Sequence, residues 1–146
     1  MLKAVIFDDE YIVLEGLQKM IDWSRYGIEL AGTAQDGNSA LSLFLSCQPD
    51  IVFTDIRMPS MNGLELIERM LRLKPQTHCI VFSGFNEYDY VKRAIKLGVT
   101  DYLEKPVTLD KIDEALQKAL ARIHEQEAIN AMKSEWERSR VELLEK

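Results

Sequence analysis

The chain has 146 residues, of which 47% are hydrophobic, and 24 acidic against 18 basic residues give a formal net charge of -6. This length and composition predict one compact domain with a hydrophobic core. Two cysteines without a signal peptide exclude a disulfide scaffold and favour reduced thiols in a soluble, cytoplasmic protein. No apolar run reaches the roughly 20 residues of a membrane helix. The acidic balance argues against direct nucleic-acid binding by this chain.

Short apolar runs alternate with amphipathic stretches as far as Pro106. We expect strands at Leu2 to Phe7, Leu30 to Ala34, Ile51 to Thr54, Cys79 to Ser83 and Thr100 to Leu103. Between them, apolar residues at i, i+3 and i+4 predict four helices, the fourth with Asn86 as its N-cap, a stripe of Val91, Ala94 and Ile95, and Gly98 at its end. This alternation predicts an α/β fold with a doubly wound parallel sheet. Neither Gly nor Pro follows Pro106, which predicts one long helix capped by Thr108.

Polar residues stand at the point where four of these strands end. Asp8 and Asp9 follow the first strand, Asp55 follows the third, Ser83 ends the fourth and Lys105 follows the fifth. Each alone fits a cap, a turn or a solvated surface charge. Their joint placement has no such explanation, because the carboxyl ends of parallel strands share one edge, where the functional crevice of this fold class lies.

The charges of this group indicate its chemistry. Three crowded carboxylates repel one another, so we expect Mg²⁺, which prefers oxygen ligands. Asp55 would then act as an oxygen nucleophile toward phosphorus, while Lys105 balances the charge of the phosphoryl oxygens. Ser83 could hydrogen-bond a phosphoryl oxygen, and Gly84 leaves room for the group to enter.

Four motifs resemble those of the receiver domains of bacterial two-component response regulators. They are Phe7-Asp8-Asp9-Glu10, Thr54 to Pro59 with Asn62-Gly63, Phe82-Ser83-Gly84, and Asp101 to Pro106. The resemblance covers about residues 2–123. It implies a flavodoxin-like sheet of five parallel strands in the order 2-1-3-4-5, followed here by an extended C-terminal helix. It also implies a regulatory phosphoacceptor that catalyses only its own phosphotransfer and slow autodephosphorylation, not an enzyme.

The resemblance assigns roles to the site residues. Asp55 accepts a phosphoryl group from a sensor histidine kinase. Asp9, Asp55 and the backbone carbonyl of Arg57 bind Mg²⁺ directly, and Asp8 reaches the metal mainly through water. Lys105 pairs with the phosphoryl group, and its peptide bond to Pro106 is cis.

The resemblance also implies a switch. On phosphorylation, Ser83 moves toward the phosphoryl group and Tyr102 turns inward, which changes the surface formed by the fourth helix, fifth strand and fifth helix. Arg57, Gly84 and Phe85 match positions that tune hydrolysis of the phosphoryl group.

A narrower resemblance concerns what lies downstream. The stretches from Ile21 to Gly27, Ala34 to Gly37 and Phe85 to Tyr90 look like receivers of regulators with an AraC-type helix-turn-helix output domain. We therefore expect a receiver at 1–123 and a helical linker at 124–146, leading to a DNA-binding output domain that this chain lacks.

The linker contains a second apolar stripe, offset from the one that would face the sheet. It consists of Ile129, Met132, Trp136 and Leu143. Either this helix is simply solvated, or it is a coiled-coil dimer linker. A homodimer could also form through the surface of the fourth helix, fifth strand and fifth helix.

Two other functions compete with the phosphoacceptor. A phosphohydrolase of the haloacid-dehalogenase type would use Asp8 as nucleophile. That chemistry requires a second Asp two residues further on, where this chain has Glu10, and it gives no role to Asp55. A receiver that only docks, without phosphorylation, would need none of the strand-end residues.

Overall fold

The computed structural model describes the backbone of residues 1–145 and the side chains of residues 1–144; Lys146, the last residue of the predicted linker, lies outside the described residues. The strands are β1 (Leu2–Phe7), β2 (Ile28–Ala34), β3 (Ile51–Asp55), β4 (His78–Ser83) and β5 (Asp101–Glu104). The helices are α1 (Tyr11–Met20), α2 (Gly37–Cys47), α3 (Gly63–Leu73), α4 (Tyr88–Leu97) and α5 (Leu109–Glu145), with a short 3₁₀ helix at Trp23–Tyr26.

All five strands are parallel and lie in the order β2-β1-β3-β4-β5, which confirms the predicted fold. The two faces of the sheet are covered by different helices. In β1, Ala4 and Ile6 belong to one core cluster while Val5 and Phe7 belong to the other. A strand buried on both faces needs an unbroken apolar run, and this explains the sequence pattern of β1.

The first core cluster packs α1 and α5 against the sheet, and the second packs α2, α3 and α4. Aromatic contacts tie the first cluster together. The Phe53 ring lies 5.8 Å from the Phe82 ring in a stacked arrangement, and 5.8 Å from the Trp23 ring at a steep angle. Both cysteines are free: Cys79 is buried, which raises the pKa of its thiol to about 12, and Cys47 is half-buried.

The predicted bounds of β3, β4 and β5 are each off by one residue, and three further local predictions are wrong. The second strand begins at Ile28 rather than Leu30, because Ile28 already pairs with Leu2. The N-cap position of α4 is Glu87 and not Asn86, whose φ of 66° places it in the left-handed region instead. On the same helix Val91 and Ala94 are buried, as predicted, but the side chain of Ile95 is 54% exposed.

The long final helix begins and continues as the sequence predicts. The hydroxyl of Thr108 accepts a hydrogen bond from the Lys111 backbone N–H at 3.3 Å. The first part of α5 is buried through Ile112, Leu116 and Ala119, whereas every residue from 124 to 144 is exposed. Among residues 1–145, no helix combines the length and apolar character that a membrane crossing requires.

Candidate functional site

The predicted residues lie at one edge of the sheet, at the carboxyl ends of four strands. Asp8 follows β1, Asp55 ends β3, Ser83 ends β4 and Lys105 follows β5. Backbone hydrogen bonds fix these positions just past the strands. The Asp8 N–H donates to the carbonyl of Ala34 at 3.0 Å, and the Lys105 N–H donates to the carbonyl of Ser83 at 2.8 Å. The side chains therefore emerge from a rigid frame at the mouth of the sheet.

Three carboxylates meet at this edge. One carboxylate oxygen from each of Asp8, Asp9 and Asp55 lies within 4.8 Å of the other two. Asp8 is fully buried, Asp55 is 5% exposed and Asp9 is exposed. Negative charges this close repel one another where water cannot screen them.

Lys105 supplies positive charge to this cluster. Its Nζ lies 2.9 Å from Oδ2 of Asp55, 3.4 Å from Oδ2 of Asp8 and 3.7 Å from Oε1 of Glu10. Burial by itself lowers the pKa of Lys105, but the hydrogen bond and charge of Asp55, with the charges of Asp8 and Glu10, outweigh it and raise the pKa. The ammonium is therefore held in its charged form beside Asp55. The Lys105–Pro106 peptide bond is cis.

The arrangement disfavours the charged form of the Asp8 carboxyl group. Its pKa is raised to about 6, chiefly by burial and further by the charge of Asp55. The Glu10 backbone N–H, which donates to Asp8 Oδ1 at 2.9 Å, and Lys105 both act in the opposite direction. Oδ2 of Asp8 is buried, and although Lys105 Nζ lies 3.4 Å from it as an ion pair, no described group makes a well-aligned hydrogen bond to it. A cation or its bound water would satisfy this oxygen.

The loop after β3 is fixed by a close backbone approach. The Gly63 N–H donates to the carbonyl of Ile56 at 2.8 Å. A Cβ at Gly63 would lie only 2.3 Å from the carbonyl oxygen of Asp55, so only glycine fits there. Asn62 caps α3 by accepting the Glu65 N–H at 2.9 Å. The start of α3 is thus pressed directly against the residue that carries the central carboxylate.

Arg57 makes a contact that the sequence does not predict. Its guanidinium lies 4.9 Å from the ring centroid of Tyr90 on α4 and donates to the Tyr90 hydroxyl at 3.2 Å. Its backbone N–H points to Oδ1 of Asp55 at 3.5 Å. Because 33 residues separate Arg57 from Tyr90, no local pattern could reveal the pair.

The β4–α4 loop is held by Glu87, which the sequence analysis also missed. Its carboxylate accepts the Gly84 N–H at 2.6 Å. The sequence offers one signal for this hydrogen bond: Glu87 follows Gly84 by three residues, which is the spacing of the acidic residue in a capping box. Ser83 is buried, while Phe85 is 93% exposed and Tyr102 is 44% exposed. The tyrosine thus points outward in this structure.

The parallel sheet and its acidic edge define a receiver-type α/β domain. A family model described as the response regulator receiver domain matches residues 4–117, and the chain belongs to this family. The chain is a receiver domain of a two-component response regulator. Neither the hydrolase nor the purely docking alternative finds support in the comparisons.

Two of the similar curated proteins are named as transcriptional regulatory proteins. The chain is 41% identical over 127 residues to the uncharacterized transcriptional regulatory protein YesN of Bacillus subtilis (strain 168), covering 87% of this chain and 34% of that protein. It is 39% identical over 130 residues to the transcriptional regulatory protein HptR of Staphylococcus aureus, covering 89% of this chain and 51% of that protein. The chain therefore spans between a third and about half of the length of these relatives.

Solved structures agree in fold and in subgroup. The REC domain of AraT, a response regulator from Geobacillus stearothermophilus, matches with a TM-score of 0.83 and 36% identity, over 86% of this chain and 98% of that one. A two component transcriptional regulator AraC from Clostridium phytofermentans matches with a TM-score of 0.80 and 33% identity, over 88% and 99%. These relatives support the resemblance to the AraC-type subgroup.

Proposed function

We propose that Asp55 is the phosphoacceptor of this receiver domain and that a sensor histidine kinase supplies the phosphoryl group. The observation that carries the proposal is the 2.9 Å contact between Lys105 Nζ and Asp55 Oδ2 inside a cluster of three carboxylates. The contact brings a carboxylate oxygen and a positive charge within hydrogen-bonding distance, which supports this proposal. Phosphoryl transfer depends on such positioning and charge neutralisation.

The donor set fits Mg²⁺. Its oxygens are hard ligands, and the buried Asp8 Oδ2 lacks a hydrogen-bond partner among the described residues. Asp9, Asp55 and the backbone carbonyl of Arg57 would hold the ion directly, with Asp8 acting through water. When bound, Mg²⁺ offsets the repulsion of the carboxylates and the charge of the incoming phosphoryl oxygens.

The transfer is a substitution at phosphorus. A carboxylate oxygen of Asp55 forms a bond to the phosphorus as the bond from phosphorus to the histidine nitrogen of the donor breaks, and the imidazole keeps that electron pair. The Lys105 ammonium, released from its bond to Asp55, then faces the phosphoryl oxygens. Ser83 offers its hydroxyl to one of them, and Gly84 lacks a side chain that would obstruct entry.

The phosphoryl group acts on the surface through Ser83 and Tyr102. Movement of the Ser83 hydroxyl toward the phosphoryl group vacates space under β5, and Tyr102, now 44% exposed, turns inward to fill it. This changes the surface of α4, β5 and α5. Residues 1–123 form the receiver, and 124–146 form the linker toward a DNA-binding output domain of the AraC type.

Beryllofluoride, a phosphoryl mimic, tests this proposal through thermal stability. With Mg²⁺ present, it should raise the melting temperature of the wild type, because a ligand that binds only the folded state stabilises it by mass action. Asp55→Asn should lose this increase. Asp110→Asn, an exposed change in the first turn of α5, should keep it. Equal increases for both variants would refute the role of Asp55.

A further inference from the structure

The second half of α5 leaves the domain as an exposed helix. Ile123 is the last residue of α5 that packs against the core, and residues 124–144 are all exposed. At 1.5 Å per residue, this segment extends over roughly 30 Å. In proteins most helical stability comes from packing of an apolar face rather than from intrinsic propensity, and an exposed helix lacks that contribution.

This exposed segment has an apolar stripe that faces away from its own sheet. The inward stripe consists of Ile112, Leu116, Ala119 and Ile123, and the outward stripe consists of Ile129, Met132, Trp136 and Leu143. With 3.6 residues per turn, the centres of the two stripes lie roughly 145° apart around the helix axis. Met132 is 69%, Trp136 is 61% and Leu143 is 75% exposed, whereas Ile129 is 38% exposed and lines a groove beside the receiver domain. From Met132 onward, a helix packed on this stripe would therefore lie clear of the receiver domain.

The spacing of the outward stripe is that of a heptad repeat. Ile129, Trp136 and Leu143 are seven residues apart and occupy a positions, and Met132 occupies the intervening d position. Ser139 falls on the next d position. Apolar a and d positions with this 3-4 spacing form the seam of a two-stranded coiled coil. We call these five residues the seam.

The charges beside the seam are sorted by sign. The e positions are basic, Lys133 and Arg140, and the g positions from Glu135 onward are acidic, Glu135 and Glu142. In a parallel pair, each g residue faces the e residue of the following heptad on the other helix, which sets Glu135 opposite Arg140 of a second copy. An antiparallel pair would instead set e against e and g against g, so that like charges meet.

We propose that the seam pairs with the seam of a second copy of this chain in a parallel, in-register coiled coil. Arg140 lies at the edge of the seam, with its guanidinium 5.6 Å from the Trp136 ring centroid. In the proposed pair it would face Glu135 of the second copy. The two chains then leave the coiled coil side by side at the same end. This pairing does not depend on phosphorylation of Asp55.

Sedimentation of the full chain over a concentration series tests the seam. The wild type should associate to dimers as concentration rises, and Met132→Lys should stay monomeric because it places a charge in the seam. Val141→Lys, the same change at an exposed apolar residue on the outer f position, should dimerise like the wild type. A monomeric wild type, or equal effects of the two lysine variants, would overturn the proposal.

Cysteine cross-linking tests the orientation. In a Cys47→Ser background, where Cys79 remains buried, Ser139→Cys should form a disulfide-linked dimer under mild oxidation, because in-register d positions face each other. Ser134→Cys, on the outer f position, serves as the matched control and should cross-link far more slowly. Equal rates for these two variants would show that the helices do not pair in parallel through the seam.

Discussion

The buried carboxylate of Asp8 should destabilise the metal-free protein at neutral and alkaline pH. Its pKa is about 6 in the folded chain against an ordinary value of 3.8, chiefly because burial disfavours the charged form. Asn at this position keeps the shape and neutrality of the protonated acid. We therefore expect Asp8→Asn to be more stable than the wild type when no divalent cation is present.

The size of the effect follows from linkage between protonation and folding. A carboxyl group whose folded pKa is raised favours folding fully below its unfolded pKa of 3.8, and that advantage is lost as the pH rises through 6. At pH 8, ionised Asp8 costs about 3 kcal/mol relative to its neutral form. At pH 5 the cost is about half as large.

Urea denaturation in the presence of EDTA measures this difference. Asp8→Asn should exceed the wild type in unfolding free energy by about 3 kcal/mol at pH 8, and by about half of that at pH 5. Asp9→Asn is the matched control: its side chain is exposed, so its change in unfolding free energy should be much smaller. The electrostatic account of Asp8 would be refuted if Asp8→Asn were no more stable than the wild type at pH 8. It would also be refuted if the difference in unfolding free energy between the two proteins did not decrease at pH 5.

Three further predictions concern packing and the lifetime of the phosphoryl group. Gly63→Ala should lower the unfolding free energy by about 1–3 kcal/mol, since its Cβ would meet the carbonyl oxygen of Asp55, and an unchanged denaturation midpoint would contradict that close approach. Phe53→Ala, which removes a ring packed on Phe82, should cost about 3–5 kcal/mol in the same assay, whereas a loss below 1 kcal/mol would show that the core collapses freely. Arg57→Ala and Phe85→Ala should each speed loss of the phosphoryl group by removing bulk that obstructs the attacking water; unchanged dephosphorylation rates would exclude this tuning role.

The fold and the convergence of the strand ends at one edge of the sheet can be predicted from the sequence for one physical reason. Parallel strands buried on both faces leave continuous apolar runs, and the residue after each run must lie at a common edge. This places Asp8, Asp55 and Lys105 near one another without knowledge of any contact between them. The strand β1, whose apolar run is continuous, begins and ends at the predicted residues.

The details that sequence reasoning missed depend on distant contacts or on backbone geometry. Asn86 is a good N-cap by type, yet the turn after β4 puts it in the left-handed region, and Glu87 takes the cap position while binding Gly84. Ile95 continues the apolar spacing of α4, but it lies at the margin of the packed face and is exposed. The pairing of Arg57 with Tyr90 depends on how α4 packs against β4 and α3, which brings Tyr90 to the loop that follows β3.

Mapping the phosphorylated residue tests the central claim most directly. The full chain is incubated with Mg²⁺ and a small-molecule phosphodonor, and the modified residue is located by mass spectrometry of its peptides. We predict one phosphoryl group, on Asp55, that is absent after omission of Mg²⁺ and in Asp55→Asn, and present in Asp110→Asn. A phosphoryl group on Asp8, or undiminished labelling of Asp55→Asn, would contradict the account.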